Sequence, residues 1–432
     1  MSATHVLLSA WSVAFITLLS LDGTATESRS QFSRLNITVG IYGISEPYIL
    51  SSLPYVLPGF LGGLDYIGPR YNFQISATVL SGRHTVMVRD CIELAQYLYL
   101  VPQFYYSRPR DGSLFLLLHT GCNEIYDLSA MSLEWNTLVL SSAGPNTSGL
   151  SSLLRLFHNL ISSSVVDFTQ MIIVLQELLR YFSWSTIAIV RDKDTLYYSL
   201  VDVMTSLNEN AKDKLTITVY NLHNITSMND GLLLTEIKNH ARIILLLMNA
   251  ATVRGFLSKA HNASMTNGEY VYIFMEPYYN ERRYGKLAWN INQADDLDVK
   301  EGFRSLLFVT STCHGRHTGN KALMNKFKNE SIVNYGGVYW EREEPINAFF
   351  MYKLVKLVGQ ILDGALQAGM NVHDGYSVAD LFRERTFTVE RSPMRTDKYN
   401  RVLFDYCVKD FNFEHGTWNT VCGRCVRVSR KD

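Results

Sequence analysis

Two cysteines close to the end of the chain, Cys422 and Cys425, form a C-x-x-C motif. Redox enzymes, metal sites and structural disulfides all use this spacing. A redox dithiol needs a lowered thiol pKa, which a helix N-terminus supplies. The segment that leads to Cys422 instead has the alternation of a strand. The motif is therefore more typical of a structural role than of a catalytic one.

Other candidates for chemistry are weaker. Cys313, His314 and His317 lie in "STCHGRHTGNK" and could ligate a metal, but three such residues in a glycine-containing loop are more typical of a solvated loop. The acidic run in "YWEREEP" precedes a helical pattern and indicates a solvated helix start. The sequence contains no P-loop, no G-x-G-x-x-G, no G-x-S-x-G and no H-E-x-x-H. We therefore predict that the chain is not an enzyme.

Composition narrows the class of protein. Hydrophobic residues make up 47% and charged residues 19% of the chain, a globular balance. Forty basic residues face forty acidic ones, which argues against nucleic acid as a partner. The six cysteines, an even number, favour disulfides over metal ligation in an oxidising compartment.

The first residues predict that compartment. An apolar run from Val6 to Leu21 is followed by small residues, which is typical of a signal peptide over 1–25. The alternative is an uncleaved anchor, although the run is short for a membrane span. The next most apolar stretch, Ala241 to Val253, is far too short, so we predict no transmembrane helix and a secreted or extracellular protein. Five N-x-[ST] motifs permit glycosylation, at Asn36, Asn146, Asn224, Asn262 and Asn329.

The elements that must position these residues alternate between strands and helices. Short aliphatic runs such as "NITVGIYG" and "RIILLLMN" predict buried strands, and a helix begins after Asp167 with Gln170 at the capping-box position. This alternation predicts an α/β fold of two doubly wound parallel-sheet lobes in a clamshell, with several crossovers between lobes. We assign 34–145 plus 308–385 to lobe 1, 146–307 plus 386–421 to lobe 2, and 422–432 to a tail.

The cysteines can be placed on these elements. Cys91 precedes a predicted helix and Cys122 ends a predicted strand, and a disulfide closing a loop of about thirty residues would contribute roughly 3–4 kcal/mol. Cys407 and Cys422 are nearly equidistant from a turn in the C-terminal hairpin and are predicted to face each other. Cys313 and Cys425 then remain, and a leftover thiol in a secreted protein suggests an interchain bond.

Several motifs together carry a family resemblance. In chain order they are "GPRYNF", Cys91, the "GC" of Gly121 and Cys122, "EWNTLVLSSAG", "LLRYFSWSTIAIV", "EYVYIFMEP", "INAFFMYKLVKL" and "DGYSVADLFRERTF". Their order and spacing resemble the extracellular ligand-binding region of natriuretic-peptide receptors and receptor guanylyl cyclases, from about residue 34 to 421. That resemblance implies the type I periplasmic-binding-protein-like fold.

The resemblance has further implications. It implies a Cys91–Cys122 disulfide, a chloride ion held by the backbone at Gly121 and Cys122, and a homodimer in which Cys425 is an interchain disulfide candidate. It implies an extracellular peptide hormone-like ligand and no signalling domain in this chain, as in a soluble decoy, a clearance receptor or a truncated ectodomain. Relatives carry Arg and His on the helix after "GC", where this chain has Met131 and Glu134. The resemblance therefore does not identify which ligand this chain binds.

The alternative function is a binder of an amino-acid-like small molecule between the lobes. Such sites hold their ligand with hydroxyl groups and an acidic residue at the cleft. Ser141, Ser142 and Gly144, in "SSAGP", are the candidates for the cleft, while the sequence does not identify the acidic partner.

Overall fold

The computed structural model describes most of the chain. The described residues are 35–46, 51–81, 88, 91–109, 111–122, 124–142, 157–164, 167–193, 195–222, 230–276, 285–310, 320–339, 343–390 and 392–422. The predicted signal peptide, Gly144, Asn146, Asn224, Cys313 with its two histidines, and Cys425 lie outside these ranges.

The first part of the chain forms a five-stranded sheet with the strand order β2-β1-β3-β4-β5. Its strands are β1 (Leu35–Gly43), β2 (Phe73–Val79), β3 (Leu114–Thr120), β4 (Leu138–Ser141) and β5 (Leu160–Ser162). Its helices are α1 (Leu53–Tyr71), α2 (Cys91–Ala95), α3 (Leu100–Ser107) and α4 (Ile125–Glu134). The pairs β1–β3, β3–β4 and β4–β5 are parallel. Every residue of β3 is buried, because helices cover both faces of a parallel sheet.

The second sheet has seven strands in the order β15-β14-β10-β9-β8-β6-β7. Its strands are β6 (Thr186–Arg191), β7 (Thr216–Asn221), β8 (Ile243–Leu247), β9 (Val271–Met275), β10 (Leu306–Thr310), β14 (Cys407–Asn412) and β15 (Thr417–Cys422). Helix α5 (Phe168–Tyr181) precedes β6, and the helices between the strands are α6 (Thr195–Glu209), α7 (Asp230–His240), α8 (Ala250–Asn262) and α9 (Asp296–Phe303). Strands β6 to β10 pair in parallel, and β14 joins β10 in antiparallel fashion.

The remaining described elements follow β10 in the chain. They are the helices α10 (Lys321–Tyr335), α11 (Ile346–Gln367) and α12 (Gly375–Asp380), then β11 (Thr386–Val389), β12 (Ser392–Thr396) and β13 (Val402–Leu403). The last three strands form a small antiparallel sheet. Helices α10 and α11 pack on α1, and α12 packs near β4, so this segment returns to the first sheet. The chain therefore passes between the two large sheets after β5, after β10 and after β13, which confirms the predicted α/β class.

Helix α5 shows how the sequence specifies a local structure. The Asp167 carboxylate accepts a hydrogen bond from the backbone N–H of Gln170, 3.0 Å away, and a second from the Gln170 side chain. This satisfies one of the backbone donors that every helix N-terminus leaves unpaired. The apolar residues at helical spacing are buried along the same helix. The predicted capped helix is confirmed.

Two of the passages between sheets lie side by side. The backbone N–H of Ser162 donates to the carbonyl of Asn400, 3.2 Å away. The Gln170 amide donates to the carbonyl of Val402 at 2.9 Å and accepts from the N–H of Phe404 at 3.0 Å. We call this region, where 158–164 and 167–170 meet 397–406, the crossover joint.

A buried arginine completes the crossover joint. The Arg401 guanidinium lies 2.7 Å from the carboxylate of Asp397 and 3.6 Å from that of Asp167. All three side chains are largely buried. A buried ion pair is costly to break, because removal of one partner leaves an uncompensated charge. The joint is therefore held by polar bonds as well as by packing.

The C-terminal hairpin differs from its prediction by one residue. The backbone pairs Cys422 with Val408, and not with Cys407, because the register shifts between Val408 and Lys409. The expectation that the two cysteines directly face each other is therefore wrong. Cys407 is nonetheless disulfide-bonded. A bond from Cys407 to Cys422 stays a prediction, since the side chain of Cys422 is outside the described set.

The lobe boundaries also stay predictions. The boundary between 307 and 308 falls inside β10, which belongs to the seven-stranded sheet from its first residue. The small sheet β11–β13 was not anticipated as a separate unit.

Helices α1 and α11 approach each other closely at glycine positions. A Cβ atom at Gly59 would lie 1.7 Å from the carbonyl oxygen of Ala348, and one at Gly63 would lie 2.6 Å from the Cβ of Val355. Backbone cannot move aside as a flexible side chain can. The contact between these helices therefore requires glycine on α1.

We predict that Gly59→Ala lowers the free energy of unfolding by about 3 kcal/mol or more, since overpacking in a well-packed core is destabilising. Chemical denaturation followed by circular dichroism measures this. The matched control is Gly364→Ala in α11, where an added Cβ would meet no atom within 4 Å. Gly364→Ala should raise the free energy of unfolding by about 0.5–1 kcal/mol, because alanine has a higher helix propensity than glycine. Equal effects of the two substitutions would contradict the close contact.

Candidate functional site

The carboxyl ends of β1, β3 and β4 lie together at one edge of the five-stranded sheet. Ligands of open α/β sheets bind at this edge, where the strand order reverses. Here the reversal lies between β1 and β3. The residues at the strand ends include Tyr42, His119, Thr120 and Ser141, and none of their side chains is exposed to solvent. We call this group the strand-end cluster.

His119 is at the centre of the strand-end cluster. Its Nδ1 atom lies 3.2 Å from the hydroxyl oxygen of Ser141, and its ring stacks on Tyr42 at 6.5 Å between ring centroids. Burial lowers the pKa of His119 to about 3. The imidazole is therefore neutral at any physiological pH. Its Nε2 atom and the hydroxyl of Thr120 have no hydrogen-bond partner.

A disulfide closes the turn after β3. Cys91 and Cys122 are bonded, with their Cα atoms 5.7 Å apart. Gly121 has φ +110°, a backbone conformation that favours glycine, and an added Cβ there would lie 2.4 Å from Ile44. The disulfide therefore joins α2 to the strand end at a turn whose shape depends on Gly121. It has the pairing that both the loop argument and the resemblance indicated.

A buried acidic residue follows the same turn. Glu124 is buried, and one oxygen of its carboxylate has no hydrogen-bond partner. Burial, together with the charge of Asp127, raises the pKa of Glu124. Burial also raises the pKa of Tyr42, and the carboxylates of Glu124 and Asp127 add to that shift. A chloride ion held at Gly121 and Cys122 stays a prediction, and the backbone turn has the form of an anion nest.

The hydroxyls proposed for a ligand cleft contact other protein groups in the interior. Ser141 contacts His119, and the Ser142 hydroxyl donates to the carbonyl of Ser51 at 3.0 Å. Both serines are buried. A ligand-binding role for Ser141 and Ser142 stays a prediction, and in this conformation they stabilise the fold.

The carboxyl edge of the seven-stranded sheet holds a buried acid that the sequence did not reveal. Glu276 directly follows β9 and is 5% exposed. Its carboxylate accepts a hydrogen bond from the hydroxyl of Thr310 at 3.3 Å. Burial lowers the pKa of Lys409, and the nearby charge of Glu276 partly offsets this. The only sequence signal for Glu276 was its position at the end of a predicted strand.

The glycosylation motifs fall in different environments. Asn262, the last residue of α8, and Asn329, in the middle of α10, are exposed. Asn36 lies in β1 and is half-buried. Glycosylation at any of them stays a prediction.

Comparison with solved structures supports the fold. An amino acid ABC transporter substrate-binding protein from Pseudomonas fluorescens Pf-5 aligns over 88% of this chain and 92% of its own, with a TM-score of 0.50 and 11% identity. That likeness concerns the fold alone. The chain therefore has the type I periplasmic-binding-protein-like fold.

Comparison of sequences gives the family. Residues 128–413 match the model described as "Receptor family ligand binding region", and the chain belongs to this family. The chain is 24% identical over 215 residues to bovine (Bos taurus) atrial natriuretic peptide receptor 3, and 25% identical over 218 residues to the human (Homo sapiens) receptor of the same name. Each match covers 49% of this chain and 38% of the relative. The predicted resemblance to natriuretic-peptide receptors is thereby confirmed. None of the helices within the described ranges is long and apolar enough to cross a membrane.

We predict that His119 makes the fold sensitive to acid. The unfolded chain takes up a proton below pH 6.5, whereas the folded one resists it down to about pH 3. The contribution of His119 to the free energy of unfolding is therefore fully present above pH 6.5. As the pH falls below 6.5, this group lowers the free energy of unfolding by about 1.4 kcal/mol per pH unit.

The free energy of unfolding of the wild type and of His119→Asn is measured at about pH 7 and pH 5. Between these pH values the variant should lose about 2 kcal/mol less stability than the wild type. The solvent-exposed His373 supplies the control. His373→Asn should retain the wild-type difference between the two pH values. A wild-type loss that persists in full in His119→Asn would contradict the assignment.

Proposed function

We propose that this chain is an extracellular receptor-type domain that binds a peptide hormone-like ligand and catalyses no reaction. The observation that carries the proposal is membership of the receptor ligand-binding family together with relatives named as atrial natriuretic peptide receptors. The Cys91–Cys122 disulfide adds support, since disulfides persist in oxidising compartments. A domain that binds peptide without catalysis is suited to a decoy or clearance role.

Direct titration tests peptide binding. Secreted protein is titrated with synthetic atrial natriuretic peptide by isothermal calorimetry, and in parallel with an equimolar mixture of the common amino acids. Saturable heat with the peptide, and none with the mixture, supports the proposal. The reverse result would replace it with the second candidate function below.

We further propose that the domain forms a homodimer through an aromatic face on α3 and α4. The Tyr105 ring stacks on Trp135 with 4.1 Å between the ring centroids. The Arg108 guanidinium lies 4.1 Å from the centroid of the same Tyr105 ring. Tyr106 and Tyr99, two turns apart, are 68% and 58% exposed. Tyr, Trp and Arg dominate the binding energy of protein interfaces. A second copy is the proposed partner because a two-fold axis lets one such face contact itself.

We predict that Tyr106→Glu shifts the protein from dimer to monomer in sedimentation-velocity measurements, since two carboxylates would meet at the symmetric contact. Tyr181→Glu is the control, because Tyr181 is 81% exposed and lies at the end of α5. Dimers that persist in Tyr106→Glu would exclude this face. The same samples, run without reductant, show whether Cys425→Ser removes a covalent dimer.

The second candidate function, an amino-acid-like ligand between the sheets, is favoured by one observation. Glu276 supplies a carboxylate at the carboxyl edge of the second sheet, as a ligand amino group would require. If the amino-acid mixture binds in calorimetry, Glu276→Gln should abolish that heat. Peptide binding should not change in the same variant.

A further inference from the structure

Helix α10 combines an exposed glycosylation motif with exposed apolar residues. Asn329 begins the motif Asn-Glu-Ser and is exposed. Val333, one turn later, is 79% exposed, and Ile332 is 45% exposed. Singly exposed apolar residues are ordinary on a protein surface. Two adjacent ones beside a glycosylation motif raise the question of what covers them.

Helical geometry places these residues on one face. Successive residues turn by roughly 100°, so Val333 lies about 40° and Ile332 about 60° from Asn329 around the axis. The buried residues Met324, Phe327 and Ser331 lie on the opposite side and face α1 and α11. Asn329 therefore points away from the protein.

The direction of the side chains brings the groups closer. In a helix, Cα–Cβ bonds tilt toward the N-terminus, so a side chain covers the turn before its own Cα. The Val333 side chain therefore leans toward the turn that holds Asn329. A sugar attached to the Asn329 amide would begin within reach of this valine.

We infer that Asn329 carries an N-linked glycan whose first sugars cover the apolar patch formed by Ile332 and Val333. The inference rests on the proposed extracellular route, because the glycan is attached only along that route. The motif at Asn262 is the natural comparison. Around it the exposed residues Ser264, Asn267 and Glu269 are polar, so a glycan there would cover no apolar patch.

The first experiment measures occupancy. The full chain is secreted from mammalian cells, and peptides are mapped by mass spectrometry before and after enzymatic deglycosylation. A glycan at Asn329 supports the inference. A glycan at Asn262 with a bare Asn329 overturns it and leaves the extracellular assignment intact, whereas two bare sites with no secretion overturn both.

The second experiment tests the covering role. Asn329→Gln is expected to bind more of a fluorescent hydrophobic dye than the wild type, and to aggregate at a lower temperature, while Asn262→Gln changes neither. A double variant, Asn329→Gln with Val333→Gln, should return both readouts to wild-type values. If Asn329→Gln behaves like Asn262→Gln, or if the added Val333→Gln restores nothing, the glycan does not cover this patch.

Discussion

The crossover joint is the constraint on which the rest of the molecule depends. The seven-stranded sheet is built from segments that are distant in sequence, because β14 and β15 enter it after the chain has returned to the first sheet. Such an arrangement requires separate passages to be held in register. The Gln170 side-chain amide does this by hydrogen-bonding the backbone of Val402 and Phe404. Arg401 pairs with Asp167 from one passage and Asp397 from the other. Since these groups are buried, their bonds are not exchanged for bonds to water without cost.

The strand-end cluster shows how a binding fold can be stabilised by polar groups. His119 and Ser141 occupy the edge at which other open sheets hold a ligand, yet they contact each other in the interior. A neutral imidazole can accept or donate a hydrogen bond without bringing a charge into the core. The proposed peptide ligand would not need the strand ends, because a peptide can bind an outer surface of the protein.

Much of the fold could be predicted from local signals. Asp167 and Gln170 specify the start of α5 through contacts three residues apart, and the aliphatic runs specify their strands because both faces of a parallel sheet are buried. The hairpin register could not be predicted in this way. Counting residues from the turn assumes a regular ladder, whereas the shift beside Val408 offsets Cys422 by one position.

The candidate site was less predictable than the fold. The exposure of Ser141 and Ser142 depends on which distant groups approach them, and neither His119 nor Ser51 carries a sequence pattern that reveals this contact. Helix α11 is buried on most sides because α1 approaches it at Gly59 and Gly63. Close approach between remote segments is set by the assembled structure and leaves little trace in local periodicity.

The Cys91–Cys122 disulfide has a consequence for how the aromatic face is held. Helix α2 buries only Leu94, and helix α3 buries only Val101. Helices with so little buried surface open readily by local fluctuation. The covalent bond to the end of β3 compensates for this, so the position of the exposed tyrosines depends on the redox state of two sulfur atoms. Protein made in a reducing cytosol would retain its two large sheets, while the segment that carries this face would exchange its amide protons faster.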